Sequence, residues 1–305
     1  MRDKIIRANL FLGVAALSGA VLLLVSGNTF MFSWFYLFAW WPFILIVDSL
    51  NFRRGGASLF TRLDQDILFM VFVSVSVWLI FELFNLRLQN WSYHELPDSL
   101  WQRWLGYFTA FASVVPALVV LAEFFQQRPT LQKLPFPRIK PSPSLLRLST
   151  FLGVMLLALT LLWPRLFFAC VWLFFLFLLE PLCFRLGIPS LLTDLEQKDG
   201  IRFWSWAAAG LAAGFIWEFF NFWAGSHWEY SIPYFEFGRI FQMPVLGYLG
   251  FIPFALEVMA IYGLLLYMKN RNWSRPWFVK ISAAALLLVF NTVVFAIIDK
   301  FTWQP

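Results

Sequence analysis

Charged residues are scarce in this chain, and so are cysteine and histidine. Asp, Glu, Lys and Arg make up 13% of the 305 residues, with two cysteines and two histidines. Soluble domains carry about 25% charged residues, so the composition excludes an ordinary soluble protein. Cys170 and Cys183 lie in or beside one apolar run and predict no disulfide framework. We therefore expect a chain that lies mostly inside a lipid bilayer.

Signatures of familiar chemistry are also missing. The sequence has no Walker A, HExxH, GxSxG or CxxC motif and no Asp-rich prenyl-diphosphate motif. His94 and His227 fall in predicted loops, which does not suit a multi-histidine metal centre or paired haem ligands. We predict no haem, nucleotide or structural metal; carboxylates are the ligands that would hold a hard cation. No cleavable signal peptide is expected, because no small-residue cleavage site follows the first apolar run.

Long apolar runs are what the sequence has in quantity, with 61% hydrophobic residues and a mean hydropathy of +0.72. A transmembrane helix needs roughly 20 mostly apolar residues. We predict an all-α polytopic membrane protein with about nine spans, at 8–26, 29–50, 67–88, 104–125, 145–163, 165–184, 203–223, 244–267 and 277–298.

The basic residues predict an orientation. Most of the 23 Lys and Arg residues fall in every second predicted loop, together with the N-terminal segment. The positive-inside rule therefore places the N-terminus in the cytoplasm and the C-terminus on the outer side of a plasma (inner) membrane. The net charge of +6 is explained by this topology. Since no soluble domain carries a basic face, we predict the lipid bilayer, and no nucleic acid, as a partner.

One segment on the predicted cytoplasmic side occurs twice. Residues 48–62 align without gaps with residues 180–194, and seven of the fifteen positions are identical. We interpret the segment as a turn and short helix capped by Ser58 and Ser190, with an ion pair between its acidic residue and its arginine as an equal alternative.

Matched residues follow both copies, so we predict two parallel four-helix repeats plus one C-terminal helix. The predicted units are repeat one (1–128), a Pro-rich cytoplasmic linker (129–144), repeat two (145–268), and the ninth helix with its tail (269–305).

Glutamate and asparagine recur three residues apart in two predicted spans. Glu82 and Asn85 lie in the third span, and Glu218 and Asn221 in the seventh, each pair on one helix face. A carboxylate in lipid costs a few kcal/mol and is kept against a partner, a cavity or a ligand. A polar cluster that only joins the two helices is the structural alternative. The duplication favours a functional site in the outer half of the membrane.

Aromatic residues accompany each pair at matched positions. An aromatic belt at the lipid–water interface explains most of them, and a lid over the Glu/Asn site is the sharper alternative. We take nine residues as candidate ligand-binding residues: Asn85, Trp91, Tyr93, Tyr107, Trp217, Asn221, Trp228, Tyr230 and Tyr248.

The predicted repeats differ at positions that decide where a cavity can form. Gly210 and Gly214 give the seventh span a face that another helix can approach closely, whereas Trp78 occupies the position that matches Gly214. Glu257 follows Pro253 by one turn, and a neutral acid bonded to a carbonyl freed by a proline kink is its structural alternative. The candidate catalytic residues are Glu82, Glu218 and Glu257.

Three functions fit these patterns. The first is a membrane enzyme or flippase that binds an amphipathic lipid-like or isoprenoid substrate between the repeats, with one convergent polar pocket. The second is a proton- or cation-coupled transporter of a small solute, with a water path on both sides. The third is a non-catalytic subunit of a membrane assembly, for which we expect an exposed apolar face larger than lipid contact needs and no enclosed cavity.

Overall fold

The protein is helical over most of its length. The computed structural model describes residues 2–55, 58–62, 65–234, 237–271 and 276–304. Its helices are α1 (Arg2–Val25), α2 (Thr29–Gly55), α3 (Leu59–Arg62), α4 (Gln65–Leu88), α5 (Leu100–Phe111), α6 (Val114–Gln126), α7 (Pro129–Gln132), α8 (Pro143–Leu162), α9 (Pro164–Phe167), α10 (Phe174–Leu186), α11 (Leu191–Gln197), α12 (Ile201–Trp223), α13 (Phe251–Arg271) and α14 (Trp277–Phe301).

Eight helical segments among the described residues are long and apolar enough to cross a membrane. They are Asp3–Val25, Thr29–Gly55, Asp66–Leu88, Leu100–Gln126, Pro143–Leu162, Pro164–Leu186, Val245–Arg271 and Trp277–Phe301. These apolar helices support a membrane-embedded, all-helical protein. The seventh predicted span, 203–223, coincides with α12 but is not among the eight, because Glu218, Asn221 and its Trp, Ser and Gly residues lower its mean hydropathy. The count of nine therefore stays a prediction.

Three spans that we predicted as single helices are interrupted. The fourth span divides into α5 and α6 at residues 112–113, and the sixth passes through a 3-10 turn at Phe168–Trp172 before α10 begins. The eighth starts as a 3-10 turn, Val245–Gly250, so Pro253 lies in the first turn of α13 rather than at a kink within it. Proline is tolerated in a first helical turn, since its missing N–H has no partner to lose there.

Helix α12 lies at the centre of the bundle and packs against α2, α6 and α13. Helices α1 and α2 form one hairpin, and α8 packs along α10 in another. Helix α14 packs mainly against α4. The exposed apolar side chains concentrated on α1, α8 and α14 are what a lipid-facing surface requires.

Short strands form in the regions that we predicted as loops. They are β1 (Trp91–His94), β2 (His227–Tyr230), β3 (Arg239–Ile240), β4 (Met243–Pro244) and β5 (Trp303–Gln304). Strand β1 is central in a three-stranded sheet, antiparallel to β2 and parallel to β5, while β3 and β4 pair with each other. The sheet thus joins two loops that are far apart in sequence to the C-terminal segment.

The segment that occurs twice in the sequence places a buried acid over the start of a short helix in both copies. Asp48 accepts hydrogen bonds from the Ser58 hydroxyl and from the backbone N–H of Leu59, at 2.6 Å for the latter. Glu180 accepts the N–H of Leu192 at 3.1 Å. Ser190 caps α11 as predicted, because its side chain accepts the N–H of Thr193. Residues 56 and 57 of the first copy lie outside the described part of the chain.

Candidate functional site

The pairing of β1 with β2 brings the two Trp-x-Tyr sequences together. Trp91 lies opposite Tyr230 and Tyr93 lies opposite Trp228, so each tryptophan faces the tyrosine of the other segment. If β1 and β2 are exchanged, so that each tryptophan takes the place of the other and each tyrosine that of the other, the same two pairs result. A twofold axis through the sheet would give this register. His94 and His227 also face each other, and their ring centroids are 5.7 Å apart.

Each asparagine of the Glu-x-x-Asn pairs holds the backbone of the tryptophan that follows it. Asn221 donates from Nδ2 to the carbonyl of Trp228 at 2.8 Å and accepts the Trp228 N–H at 2.9 Å. Asn85 donates to the carbonyl of Trp91 at 2.8 Å and accepts the N–H of Asn90 at 2.8 Å. The asparagines therefore fix where each strand leaves its helix, by satisfying backbone groups that would otherwise be buried without partners.

Each glutamate accepts hydrogen bonds from the aromatic residues of the strand beside it. Glu218 Oε1 accepts the Tyr230 hydroxyl at 2.9 Å and the Trp228 indole N–H at 3.2 Å. Glu82 Oε1 accepts the Tyr93 hydroxyl at 2.5 Å and the Trp91 indole N–H at 3.0 Å. Both carboxyl groups are buried, so these donors replace water.

The tyrosines act as donors in this arrangement. Burial, and then the nearby Glu218 carboxylate, raise the pKa of the Tyr230 hydroxyl well above its usual value. The pKa of Tyr93 is raised in the same direction by burial and by Glu82. Both phenols stay protonated, and each donates its hydroxyl proton in a hydrogen bond to a glutamate Oε1. The second oxygen of each glutamate, Oε2, has no hydrogen-bond partner among the described residues.

A third indole distinguishes the two glutamates. Trp78, one turn before Glu82, also donates to Glu82 Oε1, at 2.8 Å. Gly214 occupies the matching position before Glu218, and the ring of Phe251 fills the space beside it: a Cβ on Gly214 would lie 2.1 Å from Phe251 Cδ2. The sequence comparison therefore identified the asymmetric position, while the partner of Gly214 comes from α13.

A cavity of about 520 Å³ opens beside Glu218, and Glu82 is not among its lining residues. Trp78 lines this cavity and bonds to Glu82, so its indole stands between Glu82 and the open space. The walls are mainly aromatic. Of the candidate site residues, the cavity is lined by Trp91, Tyr93, Tyr107, Trp217, Glu218, Trp228 and Tyr230.

Glu257 lies away from the cavity lining, although Pro253 and Phe254 of the same helix contribute to it. Its Oε1 accepts the backbone N–H groups of Phe175 at 2.9 Å and Leu176 at 3.4 Å. These amides belong to the first turn of α10, which begins inside the bundle after the interruption of its span. Glu257 thus caps a helix start, where a carboxylate is favoured by the N-terminal end of the helix dipole. Its catalytic role stays a prediction.

Tyr107 and Tyr248, two of the candidate ligand-binding residues, differ in the structure. Tyr107 lines the cavity and donates its hydroxyl to Asp299 at 2.9 Å. Tyr248 donates to the carbonyl of Ile240 at 3.0 Å and does not line the cavity. Asn85 and Asn221 are also outside the lining, since they act on the strand backbone.

Sequence reasoning missed a buried ion pair that closes one side of the site. Arg103 lines the cavity and donates from Nε to Asp299 at 2.9 Å, while its guanidinium lies 3.8 Å from the centroid of the Trp303 ring. Trp104 also donates to Asp299, at 2.8 Å. The signal was available, because Asp299 is an acidic residue near the end of an otherwise apolar span. Its partner could not be named, since it lies almost two hundred residues earlier in the chain.

Sequence reasoning also missed other lining residues. Trp34 and Tyr36 come from α2, and Trp172 comes from the 3-10 turn that interrupts the sixth span. A signal was available for Trp172, because it matches Trp40 when the gapless alignment of residues 48–62 with 180–194 is continued towards the N-terminus. Among the described residues, no group of three or more His, Cys, Asp or Glu side chains is arranged to hold a metal ion.

The arrangement can bind an apolar molecule and present one carboxyl group to it. No protein-family model, no curated protein and no solved structure matches the chain. The chemistry of the site therefore rests on its own residues.

Proposed function

We propose that this chain is an integral membrane protein that binds an amphipathic lipid-like or isoprenoid substrate in the cavity beside Glu218. The observation that carries the proposal is the cavity itself, whose volume of about 520 Å³ falls in the usual range for ligand sites. Aromatic walls suit an apolar chain, and Glu218 supplies one convergent polar group, as such sites require.

The proposed membrane arrangement follows the sequence. We propose nine spans in two parallel repeats plus a ninth helix, in a plasma (inner) membrane, with the N-terminus cytoplasmic and the Glu218 site in the outer half. The exchange-symmetric pairing of β1 with β2 supports the repeat. So do the matched bonds that Asn85 and Asn221 make to the tryptophans after them.

Glu218 is the residue that we propose to act on the substrate. Its Oε1 is held by Trp228 and Tyr230, which fixes the carboxyl group, and its Oε2 has no partner among the described residues. A fixed carboxyl group beside an apolar chain serves as an acid or base in an enzyme, or as a head-group contact in a flippase. Glu82, shielded by Trp78, then has a structural role in positioning β1.

The proposal is tested by filling the cavity. Gly106 lines it, and a Cβ there would have only Trp34 Cζ3 nearby, at 3.9 Å. Gly106→Leu therefore places a side chain in the cavity with little strain. Gly19→Leu on α1 is the matched control, because no atom lies within 4 Å of its Cβ position and it is not in the lining.

The measurement is mass spectrometry of small molecules that co-purify with the detergent-solubilised protein. We expect one lipid-like or isoprenoid species with the wild type and with Gly19→Leu, and its loss from Gly106→Leu. A species retained equally by all three proteins would show that it does not occupy the cavity. The cavity favours this proposal over the subunit hypothesis, under which no enclosed cavity is expected.

A further inference from the structure

The carboxyl group of Glu218 has no cationic partner in the described part of the chain. Two other acids are paired: Asp299 lies 2.9 Å from Arg103, and Asp194 lies 3.2 Å from Arg202. Glu82 and Glu257 are buried without such a partner among the described residues, but neither lines the cavity. No Lys, Arg or His nitrogen lies within 4.0 Å of Glu218 in the part of the chain that the structure describes. A buried carboxylate without a cationic partner is costly, so a ligand that supplies the positive charge would be strongly favoured.

The basic side chains that line the cavity are already engaged. Arg103 is held by Asp299 and by the carbonyls of Pro97 and Asp98, at 3.0 and 2.6 Å. His227 contacts the Gly225 carbonyl through Nδ1 at 2.6 Å and Glu229 through Nε2 at 3.3 Å. Glu218 is therefore the acidic side chain without a cationic partner among the described lining residues.

The walls around Glu218 suit a cation as well as an apolar chain. Indole and phenol rings of Trp34, Tyr36, Trp78, Trp172, Trp217 and Trp228 line the cavity. The faces of such rings attract cations, by about 0.5–2 kcal/mol each when the cation is desolvated. Rings around one carboxylate form a site that a quaternary or tertiary ammonium group fits, because that group is bulky, weakly hydrated and positively charged.

We propose that the ligand of this cavity carries an ammonium group, which lies against Glu218 and the surrounding rings, and an apolar tail. This inference rests on the proposed function and narrows its substrate class to amphipathic molecules with a cationic head. Trp228 and Tyr230 bond to Oε1, whereas Oε2 is buried without a hydrogen-bond partner among the described residues, so Oε2 is the oxygen that the ammonium group would approach.

The test uses the full chain purified into nanodiscs of phosphatidylglycerol, a lipid without an ammonium group. Choline and its uncharged isostere 3,3-dimethylbutan-1-ol are titrated separately, and binding is followed by calorimetry and tryptophan fluorescence. We expect choline to bind about tenfold more tightly than the alcohol, from the charge contact and the ring faces. Equal affinities for the two probes, or binding of neither, overturn the inference, and this comparison needs no variant.

Two variants then test which glutamate recognises the ammonium group. Glu218→Gln keeps the shape of the side chain and should abolish the preference for choline over the alcohol. Glu82→Gln removes the carboxylate that Trp78 separates from the cavity, so the preference should persist. The opposite pattern, with the preference lost only in Glu82→Gln, would contradict the assignment to Glu218.

A second lipid composition identifies the source of the ammonium group. If phosphatidylcholine nanodiscs weaken choline binding, a lipid head group competes for the site; if they do not, the ligand is a soluble ammonium compound. Both results support ammonium recognition. Co-purification of an uncharged lipid that Gly106→Leu removes, without any choline preference, would leave the proposed function standing and overturn only the cationic head group.

Discussion

The interface between α12 and α13 provides the sharpest test of the packing around the cavity. A Cβ built on Gly210 would lie 2.2 Å from the backbone oxygen of Phe251 and 2.8 Å from Ala255 Cβ. A Cβ on Gly214 would lie 2.1 Å from Cδ2 of the Phe251 ring. Carbon atoms in ordinary contact are about 3.5–4.0 Å apart, so alanine at either position must displace α13 or its side chain.

The two glycines should differ in cost because different atoms oppose them. At Gly214 the obstacle is a side chain, so the Phe251 ring can retreat. Overpacking costs about 1–3 kcal/mol, and alanine regains about 1 kcal/mol of helix propensity, so we expect Gly214→Ala to lose up to about 2 kcal/mol. At Gly210 the obstacle is backbone, the two helices must separate, and we expect a loss of about 3 kcal/mol.

Gly19 on α1 is the control, because its Cβ position has no neighbour within 4 Å. Gly19→Ala should gain up to about 1 kcal/mol from helix propensity alone. The free energy of unfolding is measured by titrating the protein in mixed micelles with SDS and following tryptophan fluorescence. The order of stability should be Gly19→Ala, wild type, Gly214→Ala, Gly210→Ala. If Gly210→Ala is as stable as Gly19→Ala, the close approach of α12 and α13 is refuted.

Three further predictions use the same unfolding assay. Asn221→Ala leaves the backbone N–H and C=O of Trp228 without their partner and should lower the free energy of unfolding by about 1–3 kcal/mol for each group. A variant as stable as the wild type would show that these two hydrogen bonds do not stabilise the fold. Asp299→Asn leaves the buried Arg103 without its counter-charge and should lower the free energy of unfolding by about 3–5 kcal/mol. A loss no larger than that of a substitution at an exposed neighbouring residue would contradict this ion pair. Burial raises the pKa of Asp194 from 3.8 to about 6. Since the folded value is the higher one, its contribution to stability is fully present below about pH 4 and lost as the pH rises through 6, by up to about 3 kcal/mol. Asp194→Asn should flatten this dependence, and an unchanged pH profile would contradict the shift.

The local part of the site could be read from the sequence, because it depends on residues close together in one helix. The spacing of Glu218 and Asn221 placed both side chains on one face of α12, and both point to the strand that follows. The contrast between Gly214 and Trp78 predicted a position where the two repeats differ, and the structure fills the space beside Gly214 with the Phe251 ring. These are consequences of helical periodicity, which the sequence states directly.

Other features depend on partners that the sequence does not name. Glu257 looked like a free carboxylate in a membrane span, yet it accepts two amides of α10, which begins where its span is interrupted. The sequence did not predict this interruption, because residues 167–174 contain no Gly or Pro. The roles assigned to the candidate site residues, and the repeat itself, stay predictions.

The sequence by itself determined the membrane class and the matched polar positions, since low charge, long apolar runs and helical spacing are local properties of the chain. Only the tertiary structure decided which glutamate faces open space. Glu82 and Glu218 have the same local pattern, and they differ because the Trp78 indole covers one while a cavity walled by distant segments adjoins the other. A cavity is the space left where several elements fail to meet, so it follows from the packing of the whole bundle rather than from any one stretch of sequence.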